Sequence, residues 1–382
     1  MMGHDINIQK AKGVKLTDVT GKKYIDLISG ISVSSVGHCH PAVVRAINEQ
    51  SKKFMHLMVY GEYNQSPQVQ YASTLTALLP QKLNSVYFTT GGSEAVEGAI
   101  KLAKRATGRF EVVSFRNAYH GSTQGALSVM GDEFFKNSFR PLIPGGKILE
   151  FNNTNMLEEI STSTAAVIVE PIQGEAGVRK AEQHFLEKLR RRCDEQGVLL
   201  IFDEIQSGFA RSGSLFAFED FKIVPDILLI AKGMGGGLPV GAFITSLQLM
   251  HELSSDPVLG HINTFGGNAV CVAAAQACLR TITKGQLWLK AKEIESVIRK
   301  QLKHELIKEI RVHGALGAID FGDTELNMKV IKSCIERGII TDWFLFCSTA
   351  MRISPPLVIS AAELKTAIKT ILTVLDEIHK SR

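Results

Sequence analysis

The middle of this 382-residue chain alternates short runs of apolar, often β-branched residues with helical patterns, and this alternation constrains the fold more than any other feature. Several runs, such as residues 198–202, are apolar at every position rather than at every second one. A strand needs that composition only where both of its faces are buried, as in a parallel sheet covered by helices. Residues 85–246 therefore predict an α/β domain with a mostly parallel sheet.

The same patterns locate individual strands and helices. In this region we expect strands at residues 86–88, 111–115, 166–170, 198–203, 227–231 and 242–245. The two clearest helices between them span residues 94–107 and 184–196, and Gly197 is a typical residue to end the second one.

A different mixture of patterns follows toward the C-terminus. Helical patterns surround two strand-like runs; the helices are expected at 269–283, 286–303, 326–337 and 361–378, and the strands at 315–321 and 350–354. We therefore predict three parts. Residues 1–40 form an N-terminal segment with a small hairpin that packs on the C-terminal domain, residues 41–276 form a large domain, and residues 277–382 form a small α+β domain.

The charge balance and the cysteines limit the partners and the compartment. With 43 Lys+Arg against 38 Asp+Glu the net charge is +5, and the basic residues are spread along the chain. Nucleic-acid-binding proteins usually gather them on one face, so we expect no nucleic-acid partner. No apolar run approaches the roughly 20 residues of a membrane-spanning helix, no secretory signal is recognisable, and the six cysteines contain no Cys-x-x-Cys pair. We expect a cytoplasmic protein with reduced thiols and no membrane partner.

Two glycines and a serine stand between a predicted strand and the helix that follows it. Gly91, Gly92 and Ser93 would bring backbone N–H groups and a hydroxyl to the positive end of that helix, which suits a phosphate or another anion. The segment is neither a Walker A nor a Gly-x-Gly-x-x-Gly motif. The other interpretation is an ordinary strand–helix turn, because many such turns contain two glycines.

Asp203 and Lys232 each lie at the end of an apolar strand. A carboxylate there needs a cation or a hydrogen-bond donor, because burying it alone is unfavourable; a helix N-cap or a structural salt bridge would also meet that need. A buried lysine can lose its charge and attack a carbonyl carbon as a neutral amine. A surface lysine beside a flexible loop is the alternative for Lys232.

An aromatic residue and a histidine, Tyr119 and His120, follow another predicted strand, where they could stack on a flat ligand. A core tyrosine under a loop is the other interpretation. In open α/β sheets, ligands bind at such strand ends. An anion cradle, an aromatic platform, a carboxylate and a lysine are together the parts that a pyridoxal 5′-phosphate (PLP) site requires.

Eight longer motifs occur in order along the chain: Gly-His-Cys-His-Pro at 37–41, Gly-Gly-Ser-Glu-Ala at 91–95, Tyr-His-Gly at 119–121, Glu-Pro-Ile-Gln-Gly-Glu at 170–175, Asp-Glu-Ile-Gln at 203–206, Lys-Gly at 232–233, Thr-Phe-Gly-Gly-Asn at 264–268 and Arg-Ile-Ser-Pro-Pro at 352–356. Through them the chain resembles the subgroup-III PLP-dependent aminotransferases of fold type I, the ornithine, acetylornithine and 4-aminobutyrate type, over nearly its whole length. The resemblance implies a large, mostly parallel-sheet domain and a small α+β domain.

The resemblance also implies roles for individual residues. Lys232 would hold the cofactor as a Schiff base and move the proton during the reaction, and Asp203 would pair with the pyridine nitrogen. The other cofactor contacts would come from Gln206 at the phenolic oxygen, Tyr119 and His120 at the ring, and Gly91, Gly92, Ser93 and Thr264 at the phosphate. In the family, the threonine that matches Thr264 reaches the phosphate of the neighbouring subunit, which implies a homodimer with active sites at the interface. Glu170 matches a structural acid near the site.

Arg352 and Glu175 are the substrate-binding residues that the resemblance implies. In relatives that use two unlike amino donors, the matching arginine binds the α-carboxylate of glutamate, and the matching glutamate covers that arginine while an ω-amine reacts. The expected activity is transfer of an amino group from an amino acid or ω-amine to a 2-oxo acid such as 2-oxoglutarate. A structural ion pair is the alternative for these two residues.

Among the departures from the pattern of the family, the one that bears on the substrate is Ser122. Ornithine- and acetylornithine-type relatives usually carry an arginine where this chain has Ser122, and a serine cannot replace its bidentate contact to a substrate carboxylate. The amino donor therefore stays open. So do two other outcomes, a PLP-dependent epimerase, decarboxylase or aminomutase, and a non-catalytic binding relative. The Glu175–Arg352 pair favours transamination over the first, and intact Lys232 and Asp203 argue against the second.

His38, Cys39 and His40 could form part of a metal site, because alternate residues of an extended chain share a face. The sequence offers no third ligand nearby, and Pro41 is a typical first residue of a helix. We therefore predict a structural turn here and no metal.

Overall fold

The computed structural model describes residues 6–381 of the chain. In chain order, the strands are β1 (Ile8–Lys12), β2 (Lys15–Asp18), β3 (Lys23–Asp26), β4 (Ser85–Thr89), β5 (Glu111–Phe115), β6 (Gly146–Leu149), β7 (Thr164–Val169), β8 (Ile172–Gln173), β9 (Arg179–Lys180), β10 (Leu199–Asp203), β11 (Ile227–Ile230), β12 (Gly241–Thr245), β13 (Glu309–His313), β14 (Leu316–Asp320), β15 (Ile339–Ile340), β16 (Trp343–Phe344) and β17 (Cys347–Ile353). The α-helices are α1 (Ser29–Ser32), α2 (Pro41–Ser51), α3 (Ser66–Thr76), α4 (Gly92–Thr107), α5 (Gln124–Ser128), α6 (Gln183–Gln196), α7 (Phe218–Phe221), α8 (Leu247–Met250), α9 (Ala269–Lys284), α10 (Leu287–Gln301), α11 (Thr324–Glu336) and α12 (Ala361–Lys380).

The central sheet has the strand order β4-β12-β11-β10-β7-β5-β6. Neighbouring strands from β11 to β6 in this order are parallel, whereas β12 is antiparallel to β4 and to β11. The six strands expected from the sequence all lie in this sheet, with ends that differ by no more than two residues, and the mostly parallel α/β prediction is confirmed. The sequence patterns missed β6 at the sheet edge.

Helices cover both faces of this sheet, which explains strands that are apolar at every position. On one face, Ile168, Ile201 and Leu229 pack in the cluster that contains the apolar side of α4. On the other face, Phe202 and Ile230 belong to the large cluster that includes α6. Successive side chains of a strand therefore enter two different cores in turn, which explains why these strands are apolar on both faces.

Two smaller sheets lie toward the ends of the chain. The predicted hairpin is present as β2 and β3, and β3 also pairs with β15, so the N-terminal segment is joined to the C-terminal part of the chain. The other sheet has the order β13-β14-β17-β16. The boundary predicted between residues 276 and 277 falls inside α9, which packs on α2 and α3. The division into domains stays a prediction.

A buried carboxylate holds the segment that follows β10. The side chain of Glu204 accepts hydrogen bonds from the backbone N–H groups of Ala217 and Phe218, both at 2.7 Å, and from the hydroxyl of Ser207 at 2.8 Å. Burial raises the pKa of Glu204 to about 7. Because Glu204 is the neighbour of Asp203 in the chain, these three bonds fix the direction in which β10 ends.

We expect Glu204→Gln to lower the free energy of unfolding by about 1–3 kcal/mol. An amide has one acceptor oxygen, so one backbone N–H would face an NH₂ group instead of an oxygen. Urea unfolding of the two forms measures the difference. Glu187→Gln makes the same chemical change on the exposed side of α6 and should stay within about 0.5 kcal/mol of the parent protein. Equal stability of the two variants would contradict the anchoring role of Glu204.

Candidate active site

The carboxyl ends of β4, β5, β7, β10 and β11 surround a cavity of about 450 Å³. Parallel strands end at the same edge of a sheet, so residues far apart in sequence meet there. The predicted cofactor residues that line this cavity are Gly91, Gly92, Ser93, Tyr119, His120, Asp203, Gln206 and Lys232. The antiparallel β12 begins at this edge, and residues 238–240 before it form part of the wall.

Asp203 is buried at the end of β10, and its two oxygens have different partners. Oδ2 lies 2.7 Å from Nδ1 of His120, and Oδ1 accepts a hydrogen bond from the backbone N–H of Ile205 at 3.0 Å. The other ring nitrogen of His120, Nε2, is buried and has no hydrogen-bond partner among residues 6–381. We expected His120 beside Tyr119 at the ligand ring; the structure places it at the cavity wall, with its Nδ1 paired to Asp203.

Lys232 lies two residues after the end of β11 and is half-buried at the wall of the cavity. Its backbone φ is 45°, a left-handed conformation that costs a non-glycine residue energy and is often found at functional sites. Burial away from water lowers the pKa of the Lys232 ammonium below its usual value, although the nearby carboxylates of Glu175 and Asp203 act in the opposite direction. Lys232 can therefore supply an uncharged amine more readily than a lysine in water.

The turn between β4 and α4 forms an anion cradle. No side chain of the described residues caps the N-terminus of α4 at Gly91, so its first backbone N–H groups lie at the cavity wall. Glu94 fixes the turn by accepting a hydrogen bond from the backbone N–H of Thr90 at 2.8 Å. A Cβ atom on Gly121 would collide with the Ser93 hydroxyl, so only glycine allows this close approach.

Two further groups complete the cavity. Nε2 of Gln206 is buried without a hydrogen-bond partner in the described part of the chain, which leaves its amide NH₂ group available to donate to a ligand. Glu170 accepts hydrogen bonds from the backbone N–H groups of Tyr119 at 3.0 Å and of Gly174 at 2.9 Å. Burial raises the pKa of Glu170, and its contacts fix the loop that carries Tyr119.

A second cavity, of about 320 Å³, shares Tyr119 and Lys232 with the first and contains Glu175 and Arg352. The two are a buried, bidentate ion pair: Nη1 and Nη2 of Arg352 each lie 3.0 Å from one carboxylate oxygen of Glu175. Although burial raises it, the Arg352 guanidinium brings the pKa of the Glu175 carboxyl below its usual value. The residue that the sequence patterns missed is Asp342, which also lines this cavity and belongs to none of the motifs.

Two of the predicted positions lie outside the cavity walls. Thr264 is exposed, and its hydroxyl is 3.2 Å from that of Tyr60. Ser122 is exposed as well, and its hydroxyl lies 3.1 Å from that of Tyr119. In this chain alone, the structure therefore does not bring Thr264 to the anion cradle.

The histidines near α2 have partners that leave no metal site there. Nε2 of His38 is 2.6 Å from a carboxylate oxygen of Asp26, and Nδ1 of His40 accepts a hydrogen bond from the backbone N–H of Ala42 at 3.3 Å. The helix begins at Pro41, as predicted. Within residues 6–381, no group of three or more His, Cys, Asp or Glu side chains could hold a metal ion. No helix in the same residues is long and apolar enough to cross a membrane.

Known proteins resemble this chain in sequence and in fold. The model of the family Aminotransferase class-III matches residues 2–375. The acetylornithine aminotransferase of Methanopyrus kandleri is 38% identical over 373 residues, which cover 97% of this chain and 94% of that protein. Ornithine aminotransferase 1 of Staphylococcus aureus is 37% identical over 374 residues, with 94% and 91% covered.

Solved structures agree with this result. The crystal structure of the ornithine aminotransferase from Toxoplasma gondii superposes with a TM-score of 0.92 at 29% identity and covers 100% of this chain and 92% of that one. A transaminase from the marine bacterium Virgibacillus superposes with a TM-score of 0.93 at 26% identity, with 100% and 94% covered.

These likenesses extend over the whole fold and confirm the fold type I architecture. They also decide among the outcomes that the sequence left open, in favour of amino-group transfer over epimerisation, decarboxylation, amino migration or binding alone. The lysine, the carboxylate and the anion cradle that meet at the sheet edge agree with the cofactor of this family. The chain belongs to the class-III aminotransferases, which use PLP to move an amino group from a donor to a 2-oxo acid.

Proposed function

We propose that this enzyme takes the ω-amino group of an ornithine-like donor and passes it to 2-oxoglutarate, with one site serving both substrates in turn. The likeness to acetylornithine and ornithine aminotransferases supports this reaction. The observation that carries the proposal is the bidentate Glu175–Arg352 pair, which lines the same cavity as Lys232. A carboxylate substrate needs a free cation, whereas an ω-amine needs that cation to be neutralised. A Glu175–Arg352 pair that can open meets both needs.

The residues of the first cavity fit PLP. The unpartnered amide of Gln206 suits the phenolic oxygen, the Asp203 carboxylate suits the pyridine nitrogen, and the uncapped start of α4 with Ser93 suits the phosphate. Tyr119 lies at the same wall and would cover the ring face. When bound, PLP supplies a carbonyl carbon that exchanges the amino group and a ring that accepts electrons.

Lys232 has two tasks in this proposal. Its amine would hold the cofactor covalently between turnovers, for which the lowered pKa is favourable because only the uncharged amine is a nucleophile. During turnover, Nζ would take the proton from the reacting carbon of the substrate and deliver it to the cofactor carbon that receives the amino group.

Glu175 and Ser122 would determine how substrates are oriented. While an ω-amine reacts, Glu175 covers Arg352; when a 2-oxo acid binds, its carboxylate takes the place of Glu175 on Nη1 and Nη2. At position 122 the chain offers only the hydroxyl of Ser122, so no guanidinium there can bind the far end of the donor. We therefore propose that the enzyme accepts ω-amines with and without a distal carboxylate.

A donor series tests the proposed reaction. The holoenzyme is assayed for glutamate formed from 2-oxoglutarate with N-acetylornithine, ornithine, 4-aminobutyrate and 1,4-diaminobutane, and Lys232→Ala serves as the inactive blank. We expect Ser122→Arg to raise kcat/KM for N-acetylornithine, relative to the diamine, by about tenfold or more, because it adds a bidentate carboxylate contact. Ser122→Ala, which adds no charge, should leave that ratio unchanged. If none of these ω-amines yields glutamate, the proposed reaction is wrong.

The anion cradle gives a second prediction. Gly121→Ala would push Ser93 away from its position, with the loss of one charge-assisted hydrogen bond, so PLP should bind about ten- to hundredfold more weakly. Titration of the apoenzyme with PLP, followed by absorbance, measures the affinity. Gly108→Ala is the matched control: its φ of +67° is strained by a side chain as well, but a Cβ there meets no atom within 4 Å. Equal PLP affinity in the two variants would refute the role of Ser93.

We also propose a homodimer with active sites at the interface. Two loops lie side by side near the anion cradle, at residues 54–65 and 254–267, and both expose large apolar side chains; Met55, Val258 and Phe265 are 64%, 74% and 59% exposed. Apolar surface of this kind usually belongs to an interface. Thr264 lies on the second loop, where the resemblance to the family places a contact to the phosphate of the partner subunit.

Phe265→Glu should therefore shift the protein toward a monomer and weaken its retention of PLP, because a charged residue opposes burial of the loop. Light scattering coupled to size-exclusion chromatography measures the mass, and absorbance measures the bound PLP. Phe110→Glu changes a side chain that is 65% exposed before β5, at the opposite end of the parallel strands, and should leave the dimer intact. A parent protein that is monomeric and still retains PLP would exclude this arrangement.

The cytoplasm is the compartment that we propose. All six cysteines lie within the described residues and are unpaired, as expected where thiols are kept reduced. Burial raises the pKa values of Cys193 and Cys278 to about 12, so these two thiols would react slowly. Recovery of the enzyme in a secreted fraction of the cells would contradict this location.

A further inference from the structure

Arg352 is held by more than the Glu175 carboxylate. Its Nε donates a hydrogen bond to Oδ1 of Asp342 at 2.8 Å, and Nη2 also donates to the backbone carbonyl of Trp343 at 3.1 Å. The Phe344 ring covers one face of the guanidinium, with its centroid 4.2 Å from Cζ. These three contacts do not involve Glu175, so they persist when Glu175 moves away.

The contacts leave a single edge of the guanidinium free to change partners. The Asp342 carboxylate accepts the hydrogen bond of Nε, and the Trp343 carbonyl accepts one hydrogen bond of Nη2. The edge formed by Nη1 and Nη2 faces Glu175. A carboxylate makes its bidentate contact along one edge of the planar guanidinium. An incoming substrate carboxylate can therefore bind only where Glu175 binds now, and the direction of that edge is fixed by Asp342.

The backbone places Asp342 directly beside this arginine. The N–H of Arg352 donates to the carbonyl of Asp342 at 2.8 Å, and the hydroxyl of Thr341 donates to the carbonyl of Arg352 at 2.6 Å. The position of the Asp342 carboxylate thus depends on main-chain pairing, which a change of its side chain leaves in place.

The charges of the second cavity show what this carboxylate adds. Lys232 and Arg352 are balanced by Glu175 and Asp342, so two potential cations face two acids. When a substrate carboxylate replaces Glu175, Asp342 stays, and the substrate meets an arginine whose charge is already balanced. An ammonium group, in contrast, is attracted by the same carboxylate.

We propose that Asp342 is a specificity-determining residue of this enzyme: it keeps one edge of Arg352 open toward the cavity and at the same time limits the affinity for carboxylate substrates in favour of ω-amines. This inference rests on the proposed function, in which both classes of substrate use the same cavity. Asp342 acts through Arg352 and through the charge of the cavity, and it is therefore a positioning residue rather than a catalytic one.

Binding of glutarate to the PLP-loaded enzyme tests the inference. Glutarate has two carboxylates but neither an amino nor a keto group, so titration calorimetry measures its affinity without turnover. Asp342→Asn keeps the size and an oxygen acceptor for Nε but removes the charge. Its Kd for glutarate and its KM for 2-oxoglutarate should fall by about three- to tenfold. Its kcat/KM for 1,4-diaminobutane should fall by a similar factor.

Two further variants separate charge from structure. Asp342→Ala removes the acceptor as well, so Arg352 loses its fixed edge and glutarate should bind more weakly than to Asp342→Asn. Asp320→Asn is the matched control, because Asp320 pairs with Nη2 of Arg311 at 2.9 Å and lies outside the second cavity. We expect this variant to bind glutarate as the parent enzyme does.

The inference is overturned if Asp342→Asn leaves glutarate binding unchanged or weakens it as Asp342→Ala does, since a purely structural role predicts loss in both. It is also overturned if Asp320→Asn tightens glutarate binding equally, or if the parent enzyme and all variants fail to bind glutarate. A parent enzyme that binds glutarate but forms no glutamate from any ω-amine would refute the proposed reaction alone, because the comparison of glutarate affinities still decides the role of Asp342.

Discussion

A buried charge must have a partner or lose its charge, and this constraint accounts for most of the arrangement around the two cavities. The Asp203 carboxylate is paired with His120, and the Glu175 carboxylate is paired with Nη1 and Nη2 of Arg352. Lys232 has no hydrogen-bonded or ion-pair partner of this kind within residues 6–381, and burial lowers the pKa of its ammonium below the usual value. The group that would react as a nucleophile is thus one whose charge is disfavoured by burial.

The parallel sheet is what makes such a concentration of polar groups compatible with a folded chain. Its central strands β10 and β11 are apolar up to their last residues because helices cover both faces, and most polar groups lie where the strands end. Turns after β4, β5, β7, β10 and β11 all open at one edge, so each adds one part of the site without placing a polar group in the core. The reversed β12 does not interrupt this edge, because the loop before it closes the cavity wall.

Sequence patterns predicted the strands of the central sheet and most of the cavity, because both depend on local features: continuous apolar runs, glycine turns and a charged residue directly after a strand. They missed β6, a half-exposed edge strand of four residues, Gly146–Leu149, without an apolar run. They also missed the pairing of His120 with Asp203, residues that are 83 positions apart, and the contact of Asp342 with Arg352, which depends on the pairing around β16 and β17. Such partners are determined by tertiary structure, so no local pattern predicts them.

On the proposed function, Ser122 and Asp342 change the substrate site in the same direction. Ser122 stands where ornithine-type relatives usually carry an arginine, so this chain has one cation fewer at the donor's far end. Asp342 adds an acid beside the remaining guanidinium. Both residues weaken the attraction for substrates with two carboxylates and leave the attraction for ammonium groups intact. The 2-oxo acid must then rely on the one open edge of Arg352, and its carboxylate can bind there only at the expense of Glu175. Discrimination between the two half-reactions therefore depends on how firmly that edge is held, which is the property that Asp342 controls.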